Sequence, residues 1–89
     1  MTDHTIQATV RVRLKPEVLD PQGRAVQRAL ATMGFDAVRQ VRIGKLVEIE
    51  LDRSAAASGP ALRAQLERLA DELLANPVIE DYEVDIGSG

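Results

Sequence analysis

The sequence predicts an α+β domain: a ferredoxin-like β-α-β-β-α-β sandwich, with a four-stranded antiparallel sheet and two helices on one face. Three observations carry this. Apolar and polar residues alternate in short runs, as half-buried strands require, while two longer segments between them repeat their apolar residues at helical spacing. Turn and cap residues separate the segments. The outward charges also sort by strand. Arg11 and Arg13 fall on the first, Glu48, Glu50 and Asp52 on the third, and Asp81, Glu83 and Asp85 on the fourth. The topology places the first strand between the third and fourth, so a basic row lies between two acidic ones.

The first strand is Ile6–Leu14, where Ile6, Ala8, Val10, Val12 and Leu14 alternate with Gln7, Thr9, Arg11 and Arg13. Asp20 then offers a helix N-cap and Pro21 a first helical residue. Val26, Ala29, Leu30 and Met33 mark one face of that helix, and Gly34 supplies its stop. Two apolar runs, Val38–Ile43 and Leu46–Leu51, flank Gly44-Lys45, which suits a type II′ hairpin turn. A bulge in one longer strand is the competing reading. The connection at 53–59 ends with Ser58 as a candidate N-cap and Pro60 in the first helical turn. Leu62, Leu66, Leu69 and Leu73 form the second helical stripe, widened by Ala70 and Leu74. Asn76-Pro77 ends it, because the residue before a proline is pushed out of the helical region. The final strand, Val78–Ile86, turns Tyr82, Val84 and Ile86 one way and its carboxylates the other. Residues 1–5 read as an N-terminal arm and 87–89 as a flexible tail around a single domain spanning 1–89.

Composition narrows the function. The formal net charge is −3, which argues against a general nucleic-acid binder, and Phe35 and Tyr82 are the only aromatic residues available to stack bases. Cysteine is absent, so disulfides, thiolate metal sites and thiol nucleophiles are excluded. No apolar run is long enough to cross a membrane and MTDHTIQ does not read as a signal peptide, so the expected location is cytoplasmic.

A catalytic constellation is hard to assemble. The serines lie in connections or the tail, and the sole histidine, His4, sits in the N-terminal arm. The pairs Glu48/Glu50 and Asp81/Glu83 are alternating carboxylates on outward strand faces, the usual solvent-facing pattern. No spacing matches a calcium loop or a zinc helix. The segment KPEVLDPQGRAV is the one candidate anion site, since a helix N-terminus attracts anions and Gly23 permits close approach. It has one glycine, however, and no phosphate-loop signature, and Asp20 already occupies the positive helix end. Arg39, Arg42 and the Gly44-Lys45 pair form a small basic corner.

The strings LKPEVLDPQGRAVQRAL, MGF, VRIGK and LLANPVIEDYEV, in this order and covering about Val10 to Ile86, closely resemble the PurS family, the small subunits of phosphoribosylformylglycinamidine synthase. Many relatives carry glycine where this chain has Glu17, which stiffens the loop. The family pattern falls on Leu14, Lys15, Pro16, Leu19, Asp20, Pro21, Gln22 and Gly23. It continues through Gly34, Phe35, Val41, Arg42, Gly44, Lys45, Asn76, Pro77 and Tyr82. These read as folding and docking positions, and the exposed or amphipathic chemistry of Arg42, Lys45 and Tyr82 makes those three the candidate partner contacts. The resemblance implies a homodimer, with a tetramer as a further state of the isolated chain. This would join the large synthetase subunit PurL and the glutaminase subunit PurQ in purine biosynthesis. That complex uses ATP, magnesium and glutamine to convert formylglycinamide ribonucleotide to formylglycinamidine ribonucleotide. The resemblance gives this chain no catalytic residue, cofactor or metal of its own, and neither nucleic acid nor membrane as a partner. The alternative is an ACT-like small-ligand regulatory module, which shares the element order; heat on titration with amino acids would favour it.

Overall fold

A computed structural model describes residues 4–87; the start of the expected N-terminal arm and the end of the tail lie outside the described residues. Five elements follow one another: β1 (Thr5–Leu14), α1 (Pro21–Thr32), β2 (Gly44–Asp52), α2 (Pro60–Leu69) and β3 (Glu80–Gly87), with a single π turn, Ala70–Leu74, extending α2. The sheet has three strands in the order β2-β1-β3, with β1 antiparallel to both neighbours. The central position of the basic strand is therefore as expected.

The expected fourth strand does not form among the described residues, and side chains distant in sequence reach the segment that was to build it. Residues 38–43 join no ladder, and side chains of the preceding loop and helix take up two of their backbone groups. The Ile43 N–H donates to the Asp20 carboxylate at 2.8 Å and the Arg39 carbonyl accepts from Gln27 Nε2 at 2.9 Å. The Gly44-Lys45 hairpin is absent as well. Gly44 lacks the positive φ that a type II′ turn needs and instead opens β2 opposite Arg13. A Cβ there would stand 2.5 Å from the Val12 carbonyl oxygen.

Among the described residues, α2 with its π turn is the one helix that covers the sheet. Ile6, Ala8, Val10 and Val12 from β1, Leu62, Leu66 and Ala70 from α2 and its extension, and Val84 from β3 make the core. Each fully buried valine or leucine contributes on the order of 1.5–3 kcal/mol. Val47, Ile49 and Leu51 of β2 are only half-buried on this side. The π turn explains why the Leu62-Leu66-Leu69 stripe does not continue to Leu73. The Ala75 N–H reaches back five residues to the Ala70 carbonyl at 2.8 Å, which rotates the phase; Leu74 turns inward and Leu73 stays 73% exposed. The expected Ser58 cap is replaced by Gly59 with φ 60°, directly before Pro60. The helix ends before Asn76-Pro77, and the Asn76 carbonyl accepts from Ile79 and Glu80, so Val78 and Ile79 form a turn and β3 begins at Glu80.

The expected placement of both helices on the sheet is also corrected. Within α1 only Gly23 is buried, and no element packs extensively against this helix. The radius of gyration is 16.9 Å, against about 12 Å for a compact chain of this length. Its ends are nonetheless well formed. Asp20 caps through the Gly23 N–H, and the C-terminus closes with Gly34→Ala31 and Phe35→Leu30 backbone bonds around Gly34 at φ 97°.

Candidate functional site

The residues that the sequence singles out converge where α1 leaves the sheet. Asp20 is 5% exposed and accepts two backbone N–H groups, Gly23 at 2.9 Å and Ile43 at 2.8 Å. Those bonds, the Ile43 one first, hold its carboxyl below the usual range, with the Arg42 charge adding to the effect. Arg42 Nη2 donates to the carbonyls of Leu14 and Lys15, each at 2.8 Å. Gly23 has no room for a side chain, since a Cβ would meet the Val41 carbonyl oxygen at 2.0 Å. Its role is therefore close packing of the helix against 39–42, in place of the anion binding considered from sequence.

Two clefts flank this knot. One, about 410 Å³, brings together Asp20, Pro21, Gln22, Gly44 and Lys45 with Glu80. The Glu80 carboxylate accepts the Asn76 N–H at 2.7 Å, which ties the Asn76-Pro77 turn to the same end of the sheet. The other cleft, about 700 Å³, lies between the 16–20 loop, α1 and residues 39–42. Arg39 and Arg42 line this second cleft and Lys45 the first, so the basic corner expected around Gly44 is divided between them.

Tyr82 is elsewhere. It pairs with Val12 across the ladder and packs half-buried against the core. Burial raises its hydroxyl above the ordinary value, helped by the charges of Asp71 and Glu67. Arg24, Gln27 and Glu80 were not singled out by sequence reasoning. Gln27 lies one helical turn beyond Gly23 and shares its face, a spacing that could have found it; Glu80 carried no comparable signal. On the open face of the sheet, Arg11 pairs with Asp85 and faces Glu83, while Arg13 faces Asp81. On the β2 side the register sets Glu48 and Glu50 opposite Thr9 and Gln7, so the acidic row there does not face the arginines directly. Among the described residues there is no group of three or more acidic or imidazole side chains placed to hold a metal, and no helix is long and apolar enough to cross a membrane.

Comparison with known proteins gives one consistent answer. The family model for PurS, phosphoribosylformylglycinamidine (FGAM) synthase, matches residues 7–88. The PurS subunit of that synthase from Synechocystis is 46% identical over 79 residues, 89% of this chain and 76% of the relative. The PurS subunit of Methanocaldococcus jannaschii is 39% identical over 80 residues, 90% of this chain and 93% of the relative. Among solved structures, Bacillus subtilis PurS superposes with a TM-score of 0.80 at 41% identity, covering 93% of this chain and 99% of that one. A chain of the PurLQS structure from Thermotoga maritima gives 0.79 at 28% identity, covering 93% and 98%.

Proposed function

This chain belongs to the PurS family of phosphoribosylformylglycinamidine synthase subunits, and we propose that it serves there as a non-catalytic assembly subunit built as a homodimer. The observation that carries this is the unpartnered α1. Met33 is 70% and Val26 40% exposed on its apolar stripe, while Val47, Ile49 and Leu51 lie half-covered beside an unpaired β2 edge. An exposed apolar helix stripe and an unpaired sheet edge are both surfaces that a second copy would bury.

In this reading the dimer, with a tetramer as a further state when isolated, joins PurL and PurQ in the cytoplasm. It supports delivery of glutamine-derived ammonia to the ATP- and magnesium-dependent synthetase. The family likeness to a chain of the Thermotoga PurLQS structure supports that partnership. Of the three candidate contacts, Lys45, exposed at the smaller cleft, meets a partner directly; Arg42 and Tyr82 serve docking through the surfaces they hold, the end of β1 with Lys15 and the α2 face.

The test is reconstitution with PurL and PurQ, comparing glutamine-dependent with ammonia-dependent synthesis. A selective gain with glutamine is expected; no change in either activity on adding the chain would overturn the assignment. Met33→Asp, at a surface position of the single chain, should shift sedimentation from dimer to monomer with helicity retained. A dimer unaffected by that change would place the interface elsewhere.

A further inference from the structure

The larger cleft carries an observation that dimerisation does not use. Its walls are tied together by three side chains acting on backbone groups: Asp20 holds the Gly23 and Ile43 amides, Arg42 holds the Leu14 and Lys15 carbonyls, and Gln27 holds the Arg39 carbonyl. Such a cleft is preorganised, and a ligand entering it loses little to ordering the protein.

Its charge is unusual for this molecule. Three arginines, Arg24, Arg39 and Arg42, line it against two carboxylates, Glu17 and Asp20, in a chain whose net charge is −3. Asp20 is occupied by two amides, and Arg42 gives its Nη2 to two carbonyls. Arg24 and Arg39 are both exposed, and neither makes an ion pair among the described residues. Two arginines without an ion pair therefore line a cleft of about 700 Å³, together with Gln27, Gln40 and the apolar Val18 and Val41. A guanidinium fork matches a carboxylate bidentately. No aromatic side chain lines the cleft to stack a base, which disfavours a nucleotide.

We propose that this cleft is a docking groove for an acidic peptide segment of a partner subunit, with carboxylates received by Arg24 and Arg39 and the chain of the segment by the Gln40 amide. The proposal rests on the reading of this protein as an assembly subunit and names the chemistry of one contact. It departs from the sequence-based choice of Arg42, whose guanidinium positions the groove and is not its reader.

The probes are hexaglutamate, hexalysine and inorganic pyrophosphate, titrated into the full-length, 15N-labelled protein and followed by amide chemical shifts. Hexaglutamate is expected to move the amides of Arg24, Gln27, Arg39 and Gln40, with an effect that weakens as salt rises. Arg24→Ala/Arg39→Ala should weaken that binding about ten-fold or more, as the loss of two charge-assisted contacts implies. Silence with hexaglutamate, equal shifts with hexalysine, or unchanged binding by the double variant would each overturn the groove. Pyrophosphate binding with hexaglutamate silent would make it a small-anion site and overturn the peptide assignment. Glutamine-dependent reconstitution, run alongside on the unaltered protein, separates the two readings: its success with a silent titration condemns only the groove, and its failure condemns the assembly role itself.

Discussion

The sheet with α2 and the arm formed by residues 15–43 are held together by opposite means. Every residue of the hydrophobic core comes from β1, α2 with its π turn, or β3. The arm contributes two buried residues, Asp20 and Gly23, and its fixation is polar: a carboxylate on two amides, a guanidinium on two carbonyls, a glutamine on one. Five of the nine large apolar side chains exposed among the described residues, Leu19, Val26, Met33, Phe35 and Ile43, belong to the arm. The body can hold its shape through hydrophobic burial. The arm has its geometry set by hydrogen bonds, which leaves its apolar surface available to another chain. The proposed assembly role would benefit from that division, since a rigid base presents a preshaped but uncovered surface.

The comparison is tested most severely in the body. Leu66 is 3% exposed beneath α2, and Leu66→Ala should cost about 2–5 kcal/mol through lost burial and the cavity left behind. Urea unfolding at fixed protomer concentration measures it, because self-association would otherwise shift the midpoint. A loss well below that range would mean that the body is not held by this core.

How legible this division was in the sequence depends on which interactions carried it. Strand β1, α2, the Asp20-Pro21 helix start and the Gly34 stop follow from periodicity and capping, which are local rules. The central position of β1 followed from the expected topology and was supported by charge sorting, although the register let only β3 bring its carboxylates opposite Arg11 and Arg13. The failure was Val38–Ile43. Its apolar composition reads as a strand, but the Asp20 carboxylate captures the Ile43 amide from 23 residues away, and no local pattern announces that. With that segment withdrawn, the hairpin at Gly44 vanished and α1 lost the four-stranded surface it was expected to cover. The functional positions fared similarly. Asp20, Pro21, Gln22, Gly44 and Lys45 do share one cleft. Arg24 and Gln27 depended on how the arm folds back on itself.

The second test breaks the arm. Asp20→Asn keeps one acceptor oxygen but sets an amide NH2 against a backbone N–H, so one of the two links must fail. Amide exchange at Gly23 and Ile43 should accelerate about ten-fold or more while Val10 is unaffected, because local opening is independent of the core. The pH dependence has a definite sign. The Ile43 and Gly23 bonds hold the Asp20 carboxyl below its ordinary value of 3.8. Its contribution is therefore full above that value and is lost as pH falls through the lower folded-state value. Protection of Ile43 should decline across that acid window in the unaltered protein, and the Asp20→Asn variant should lack this component. A pH-independent difference between the two would show that shape, and not the charge of Asp20, fixes the arm.

The smallest effect should come from the most conspicuous polar contact of the body. Arg11 pairs with Asp85 across the open face, and that bond raises the guanidinium above its ordinary value. Yet the two side chains are 50% and 62% exposed, so water and salt screen the attraction, and holding two long side chains together carries an entropic cost. Arg11→Ala should therefore shift the thermal midpoint by no more than about 5 °C. The double variant with Asp85→Ala should show almost no coupling, and the difference should shrink further in high salt. The contrast with Asp20 lies in location rather than in bond type: both are charge-assisted, but Asp20 is 5% exposed and joins two backbone segments that no ladder fastens and that lie outside the core. The strands carrying Arg11 and Asp85 are already fastened by their ladder and by the core beneath. If Arg11→Ala proved as damaging as Asp20→Asn, the body too would depend on polar links, and the division between burial in one region and hydrogen bonding in the other would have to be abandoned.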